Sequence, residues 1–154
     1  MRQADIIEAP ALELAGLPYR GPYAEIGGAF GRLHEILLAR AMYRDGHFNV
    51  AVYFDDVAVT PASQCRGFVG RSIAAGAAIE PPLERLSLPA GPCAVLRHVG
   101  PYTELGAAYS WLLGVWLPQS GRTTADAPCY EIYRNTPMDV EPRDLVTDIH
   151  LPLI

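Results

Sequence analysis

The chain has 154 residues, half of them apolar, and a formal net charge of −5. That length bounds it to one domain, or two half-domains sharing one core, and the apolar share lets a core form without disulfides. The negative charge disfavours nucleic acid or an acidic membrane as partner, no run approaches a membrane-spanning length, and Asp5 and Glu8 stand where a signal peptide would be apolar, so a cytoplasmic protein is expected.

In chain order, residues 12–20 read as a strand and residues 23–40 as the first helix. Asp45-Gly46 breaks the chain. Residues 47–54 are rich in β-formers and predict a second strand, which Asp55-Asp56 stops by closing a turn. A loop around Pro61 leads into a third strand at 65–69. Residues 70–82, rich in Gly and Ala with two prolines, read as a connector between halves. A fourth strand at 83–88 is turned by Pro89-Ala90-Gly91-Pro92 into a fifth at 93–99, which predicts a hairpin. The second helix is expected over 102–117, a polar loop over 118–128, and the last two strands over 129–133 and 145–151.

One phrase occurs twice. Gly21-Pro22-Tyr23-Ala24-Glu25-Ile26-Gly27 returns 79 residues later as Gly100-Pro101-Tyr102-Thr103-Glu104-Leu105-Gly106. Of the 18 pairs from Gly21/Gly100 to Leu38/Leu117, 8 are identical, where about one would arise by chance. Each copy carries an apolar stripe at helical spacing: Ile26, Phe30, Leu33 and Leu37, then Leu105, Tyr109, Leu112 and Trp116. Proline pre-sets φ at each helix start, and Glu25 and Glu104 follow in the first turn, where the helix dipole favours a carboxylate. Both halves, roughly residues 11–70 and 92–153, share the order strand, helix, strand, strand. They predict an α+β fold of duplicated βαββ halves related by a pseudo-two-fold axis, with antiparallel sheet and two main helices. A central cleft where the halves meet is the default ligand site.

Along residues 129–133, period two puts Cys129, Glu131 and Tyr133 on one strand face and Tyr130 and Ile132 on the other. Glu131 is then either a pocket acid among aromatics or a glutamate paired with Arg66 or Arg134. A carboxylate in an aromatic pocket attracts a cation through its charge and through the ring faces around it. Trp111 lies off the helical stripe and either covers core or walls the cleft. Tyr23 and Tyr102 open their helices, where a large aromatic also makes a cleft wall. Tyr53 lies on the first-half counterpart of the Glu131 strand, which has Ala51 in place of the acid, so the site's charge is one-sided. Other chemistry is thin. No Gly-x-Ser-x-Gly elbow is present, and Gly27-Gly28-Ala29-Phe30-Gly31 lacks the lysine of a phosphate loop. His34, His47, His98 and His150 have no ligand spacing, and His34, beside Glu35, reads as solvated. Cys65, Cys93 and Cys129 are far apart, as in a reduced protein. No cofactor or metal is expected, and the only candidate for a catalytic role is Glu131.

The runs Leu96-Arg97-His98-Val99-Gly100-Pro101-Tyr102, Trp116-Leu117-Pro118-Gln119-Ser120-Gly121, Pro128-Cys129-Tyr130-Glu131-Ile132-Tyr133-Arg134-Asn135 and Thr147-Asp148-Ile149-His150-Leu151-Pro152-Leu153 resemble the GyrI-like small-molecule-binding superfamily. That superfamily includes the effector-binding domain of some AraC-type regulators, the ligand domain of multidrug-sensing MerR-type regulators, and a free-standing gyrase-inhibitory protein. The resemblance extends from Leu12 onward, treats residues 1–154 as a single such domain, and implies the same duplicated βαββ fold with a cleft on the axis. It implies that Glu131, in the place of the glutamate of the family's Pro-x-x-Glu-x-Tyr strand, meets cationic lipophilic ligands, with Tyr133 on the same face. No helix-turn-helix region accompanies these runs, and ten residues before the first strand leave no room for one, so direct DNA binding is not expected. Three activities stay open. The leading one is a stand-alone binder of an amphipathic, cationic or aromatic small molecule. The second is a hydrolase of reactive hydrophobic natural products, with Glu131 orienting or activating water. The third is an interaction module like the gyrase-inhibitory relative, with gyrase or a regulator as partner.

Overall fold

A computed structural model describes residues 2–154. They form two compact units, Ala11–Pro89 on the one hand and Ala90–Ile154 with the residues up to Pro10 on the other. The N-terminal strand β1 (Ala4–Ala9) therefore belongs to the second unit. The Ala11–Pro89 unit holds β2 (Leu12–Arg20), α1 (Gly27–Ala39), β3 (Asn49–Tyr53), β4 (Arg66–Ile73) and β5 (Glu84–Leu88). Its antiparallel strands lie in the order β5-β2-β4-β3. The other unit continues with β6 (Gly91–Val99), α2 (Leu105–Trp111), a π-helical turn (Leu112–Trp116), α3 (Leu117–Ser120), β7 (Cys129–Tyr133) and β8 (Val146–Pro152). Its antiparallel order is β1-β6-β8-β7. Both units thus contain the βαββ succession, β2-α1-β3-β4 and β6-α2-β7-β8, each with one further strand at an edge, and the class is α+β. No helix among the described residues is long and apolar enough to cross a membrane.

The repeated phrase has one physical cause in both places. Gly21 and Gly100 adopt φ of 142° and 141°, a region that side chains other than glycine's rarely enter. From there the Gly21 amide donates to the Cys65 carbonyl at 2.8 Å and the Gly100 amide to the Leu145 carbonyl at 2.9 Å. The next residue is proline, whose carbonyl accepts the amide of Glu25 or Glu104, at 3.0 Å in each copy. That bond closes a 3-10 turn, Tyr23–Glu25 or Tyr102–Glu104, which leads into the helix. Beyond it α1 buries Leu33 and Leu37 and lies against β2 and β4. In the other unit Ala108 and Leu112 pack into a cluster with Ala94, Leu96, Ile149, Leu151 and Leu153. Each buried leucine or isoleucine stabilises its unit by about 1.5–3 kcal/mol relative to exposure.

Four features differ from the sequence expectation. The first strand is not Leu12–Arg20, because β1 precedes it and pairs with β6 from Ala4↔Leu96 to Ala9↔Gly91. β5 and β6 do not form a hairpin. Both edges of β6 are occupied, by β1 and β8, and β5 pairs instead with β2, from Leu12↔Leu88 to Gly16↔Glu84. β4 runs on to Ile73, since β2 and β3 offer it partners on both sides beyond Val69. The second helical stretch passes through Pro118 to Ser120. The wider π turn before it, in which the Leu117 amide reaches back to the Leu112 carbonyl, makes room for the ring. Gly121, at φ 70°, then ends the helix.

Asp148 on β8 is an electrostatic brace of the second unit. Its carboxylate accepts two bonds from Arg97 on β6, at 2.8 and 2.9 Å, and one from Arg134 at 2.7 Å. Burial pushes its carboxyl up, but the two guanidinium groups outweigh burial and hold it below its ordinary value. A carboxyl lowered by folding stabilises the fold above its unfolded pKa, about 3.9, and loses that contribution as pH falls through the folded value. Asp148→Asn is therefore expected to cost about 1.5–3 kcal/mol at neutral pH and to converge with wild type in strong acid. Urea unfolding across pH measures this, and parallel profiles for the two proteins would contradict it.

Candidate functional site

The acid-bearing strand is β7, whose register on β8 sets Glu131 opposite Ile149 and Tyr133 opposite Thr147. Ile149 belongs to the cluster packed under α2, so Glu131 lies on the strand face that meets this helix. Tyr109 of α2 reaches it. The Tyr109 hydroxyl donates to Glu131 Oε2 at 2.5 Å, and the Tyr133 hydroxyl donates to Oε1 at 2.6 Å. Glu131 itself is 2% exposed. Hydroxyl donors are neutral, so they fix the carboxylate in place without cancelling its charge.

The surroundings register that charge. The Cys129 thiol is pushed up to about 11, first by burial and then by Glu131, which favours its protonated form. The Tyr102 phenol is also raised, by burial and then by the charges of Glu131 and Asp139. Tyr102 stands edge-on to Tyr133, with centroids 5.5 Å apart and planes at 74°. At 36% exposure it carries the group to the surface. A buried acid, two hydroxyl donors and an outer aromatic pair thus form one continuous unit. On the opposite face of β7, Tyr130 stacks on His150 at 4.6 Å, so the expected alternation along this strand is present.

Of the six residues singled out in the sequence, Glu131, Tyr133, Tyr102 and Trp111 belong to the Ala90–Ile154 unit, and Tyr23 and Tyr53 to the Ala11–Pro89 unit. Glu131, Tyr133 and Tyr102 come together as described. Trp111 is half-buried and packs against the cluster under α2. Tyr23 and Tyr53 belong to the other unit, where they form their own edge-on pair at 4.7 Å and 72°. The Tyr23 hydroxyl is committed to structure, donating to the Arg66 carbonyl at 2.5 Å and accepting from the Asp55 amide at 3.1 Å. For the Tyr102 hydroxyl no such bonds exist among the described residues. Of the arginines considered beside Glu131, Arg66 binds Asp55 at 3.0 Å and Arg134 binds Asp148. His34 is half-buried, and its Nδ1 meets the Tyr43 hydroxyl. No cluster of His, Cys, Asp and Glu able to hold a metal ion is present among the described residues.

Tyr109 is the partner of Glu131 that periodicity hides, since a stripe of apolar positions does not distinguish a tyrosine's ring from its hydroxyl. The duplication does distinguish them. Tyr109 corresponds to Phe30 and Glu131 to Ala51, so one half carries an acid and a hydroxyl that meet, while the other has neither at those positions.

The comparisons with known proteins agree with this fold. A model of the GyrI-like small molecule binding domain matches residues 2–154. Among solved structures, the EcmrR C-terminal domain matches with a TM-score of 0.79 at 17% identity, over 100% of this chain and 98% of that one. SAV2435 bound to tetraphenylphosphonium matches at 0.69 and 13% identity, over 99% and 94% of the two chains. A hydrolase from Listeria innocua matches at 0.68 and 15%, over 99% and 92%. At such identities these structures establish a shared fold, and function rests on the site itself.

Proposed function

This chain belongs to the GyrI-like small-molecule-binding family, and on that premise we propose that its Glu131 group takes an amphipathic cation bearing aromatic rings. The observation that carries the reading is the buried carboxylate held by the Tyr109 and Tyr133 hydroxyls beside the exposed Tyr102 ring. A cation resting on Tyr102 and Tyr133 gains about 0.5–2 kcal/mol from the ring faces. At about 6 Å from the acid, with an effective dielectric of about 20, the charge adds roughly 3 kcal/mol before the cost of desolvation. Both Glu131 oxygens already accept hydroxyl protons, which supports a role in holding charge over one in activating water. The net charge of −5 likewise supports a small cationic partner over duplex DNA. Tetraphenylphosphonium, the ligand of the relative SAV2435, is a suitable probe. The test is a calorimetric and thermal-shift titration with this cation and a neutral compound of similar shape. The cation is expected to saturate one site and, at about 100 times its dissociation constant, to stabilise the fold by about 2.7 kcal/mol. Equal binding of both compounds, or no saturable binding of the cation, would overturn the proposal.

A further inference from the structure

A concavity of opposite electrostatic character to the Glu131 group lies wholly within the Ala11–Pro89 unit. It is a groove of about 630 Å³ whose lining includes Arg40, Arg44, His47 and Ser72. That volume is within the range of small-molecule sites, about 300–1,000 Å³. Its floor is the end of β4, at Ser72 and Ile73. One wall is the loop between α1 and β3. Arg71 braces that loop by donating to the Arg44 carbonyl at 3.2 Å and the His47 carbonyl at 3.0 Å. The facing wall is the connector through Ala77 and Ile79. Arg40 ties the connector down by donating to the Glu80 and Pro81 carbonyls at 2.8 and 2.6 Å, and Arg85 donates to the Ala77 carbonyl. Both walls are thus fixed without a ligand.

The polar lining is built to meet an anion. The carbonyls that hold Arg40 are neutral, so its charge remains, and Arg44 adds a second against the single acid Glu80. Ser72 Oγ accepts the Phe48 amide at 3.0 Å and lies 3.1 Å from His47 Nδ1. If Nδ1 carries the proton, the serine hydroxyl is left to donate. If Nε2 carries it, the serine donates to Nδ1 and Nε2–H is the donor. In either tautomer the pair retains one donor beyond its own needs. Met42, Ile73, Ala77 and Ile79 supply an apolar surface beside these groups. We propose that this groove binds a small organic carboxylate with a short apolar body, the carboxylate meeting Arg44 and the His47–Ser72 pair.

Octanoate and its uncharged analogue octanamide separate charge from shape, and amide NMR locates the response. Octanoate is expected to give saturable shifts at Met42, His47, Ser72 and Ile79, with octanamide much weaker. Arg44→Ala is expected to weaken octanoate about tenfold. Arg44→Lys should retain most of the affinity, because a charge remains though its fork geometry does not. Arg44 is exposed and only its backbone carbonyl serves the fold, so both variants should fold. The proposal is overturned if octanamide shifts the same residues equally, if Arg44→Ala binds octanoate like wild type, or if the shifts centre on Tyr102 and Tyr133 instead of the groove.

Discussion

Glu131→Gln is expected to weaken a cationic ligand by about 1–3 kcal/mol, roughly 5- to 150-fold, and to leave a neutral analogue of the same shape nearly unchanged. The substitution keeps the volume and removes the charge. Two tyrosine hydroxyls then face an amide where they faced a carboxylate. One continues to donate to the amide oxygen, and the other turns to accept from the amide nitrogen, because a phenol is both donor and acceptor. The fold should therefore survive, and the loss should appear in binding. Tyr109→Phe is the complementary change. It keeps the acid, removes one donor and restores the residue type of the other half, Phe30. It should cost about 1–3 kcal/mol of stability, since a buried carboxylate loses a partner, while the preference for a cation persists. Calorimetry on both variants with a matched cationic and neutral pair separates the two effects. Equal losses for both ligands in Glu131→Gln would show that the residue supplies shape and not charge.

The largest expected effect on folding is that of Gly16→Ala. Gly16 lies opposite Gly70 of β4 and Glu84 of β5. A Cβ there would stand 2.0 Å from the Val69 carbonyl oxygen, 2.6 Å from Gly70 Cα and 2.7 Å from Phe68 Cε1. Two of these three are backbone atoms of a paired strand, so relief requires breaking the β2–β4 ladder. The loss is expected to exceed about 4 kcal/mol, a range reserved for gross packing faults. Gly31→Ala provides the contrast. It lies on the exposed face of α1, where a Cβ would meet nothing within 4 Å. There the methyl removes backbone freedom from the unfolded chain and should stabilise by about 0.5–1 kcal/mol. Urea midpoints of the two variants should therefore move in opposite directions. A Gly16→Ala protein with a wild-type midpoint would show that the two strands are not paired in this register.

How much was legible in the sequence follows from which signals are local. The doubled Gly-Pro-Tyr phrase encodes a local backbone turn, and the structure places Gly21 and Gly100 at the same φ with equivalent amide bonds. The helical stripes were legible because Ile26, Leu33 and Leu37 of the first and Leu112 of the second are buried. β1 was not, because an edge strand exposed along most of its length shows no alternation, and its partner β6 is distant in sequence. The pairing of β5 failed for a related reason. Adjacency and a proline-rich turn argued for a hairpin, while the choice of partner depended on β1 and β8 already flanking β6. At the site, the face shared by Glu131 and Tyr133 followed from period two. The Tyr109 hydroxyl did not, since its ring satisfied the apolar pattern by itself; only comparing the two halves, Phe30 with Tyr109 and Ala51 with Glu131, exposes it.

The account rests on where a cation sits. A crystal structure of the protein grown with tetraphenylphosphonium measures that directly. The account predicts a phenyl ring of the ligand against Tyr102 and Tyr133, with Glu131 the nearest carboxylate of that unit to phosphorus and its bonds to Tyr109 and Tyr133 retained. A cation bound at another place, with the Tyr102–Tyr133 pair uncovered, would contradict it.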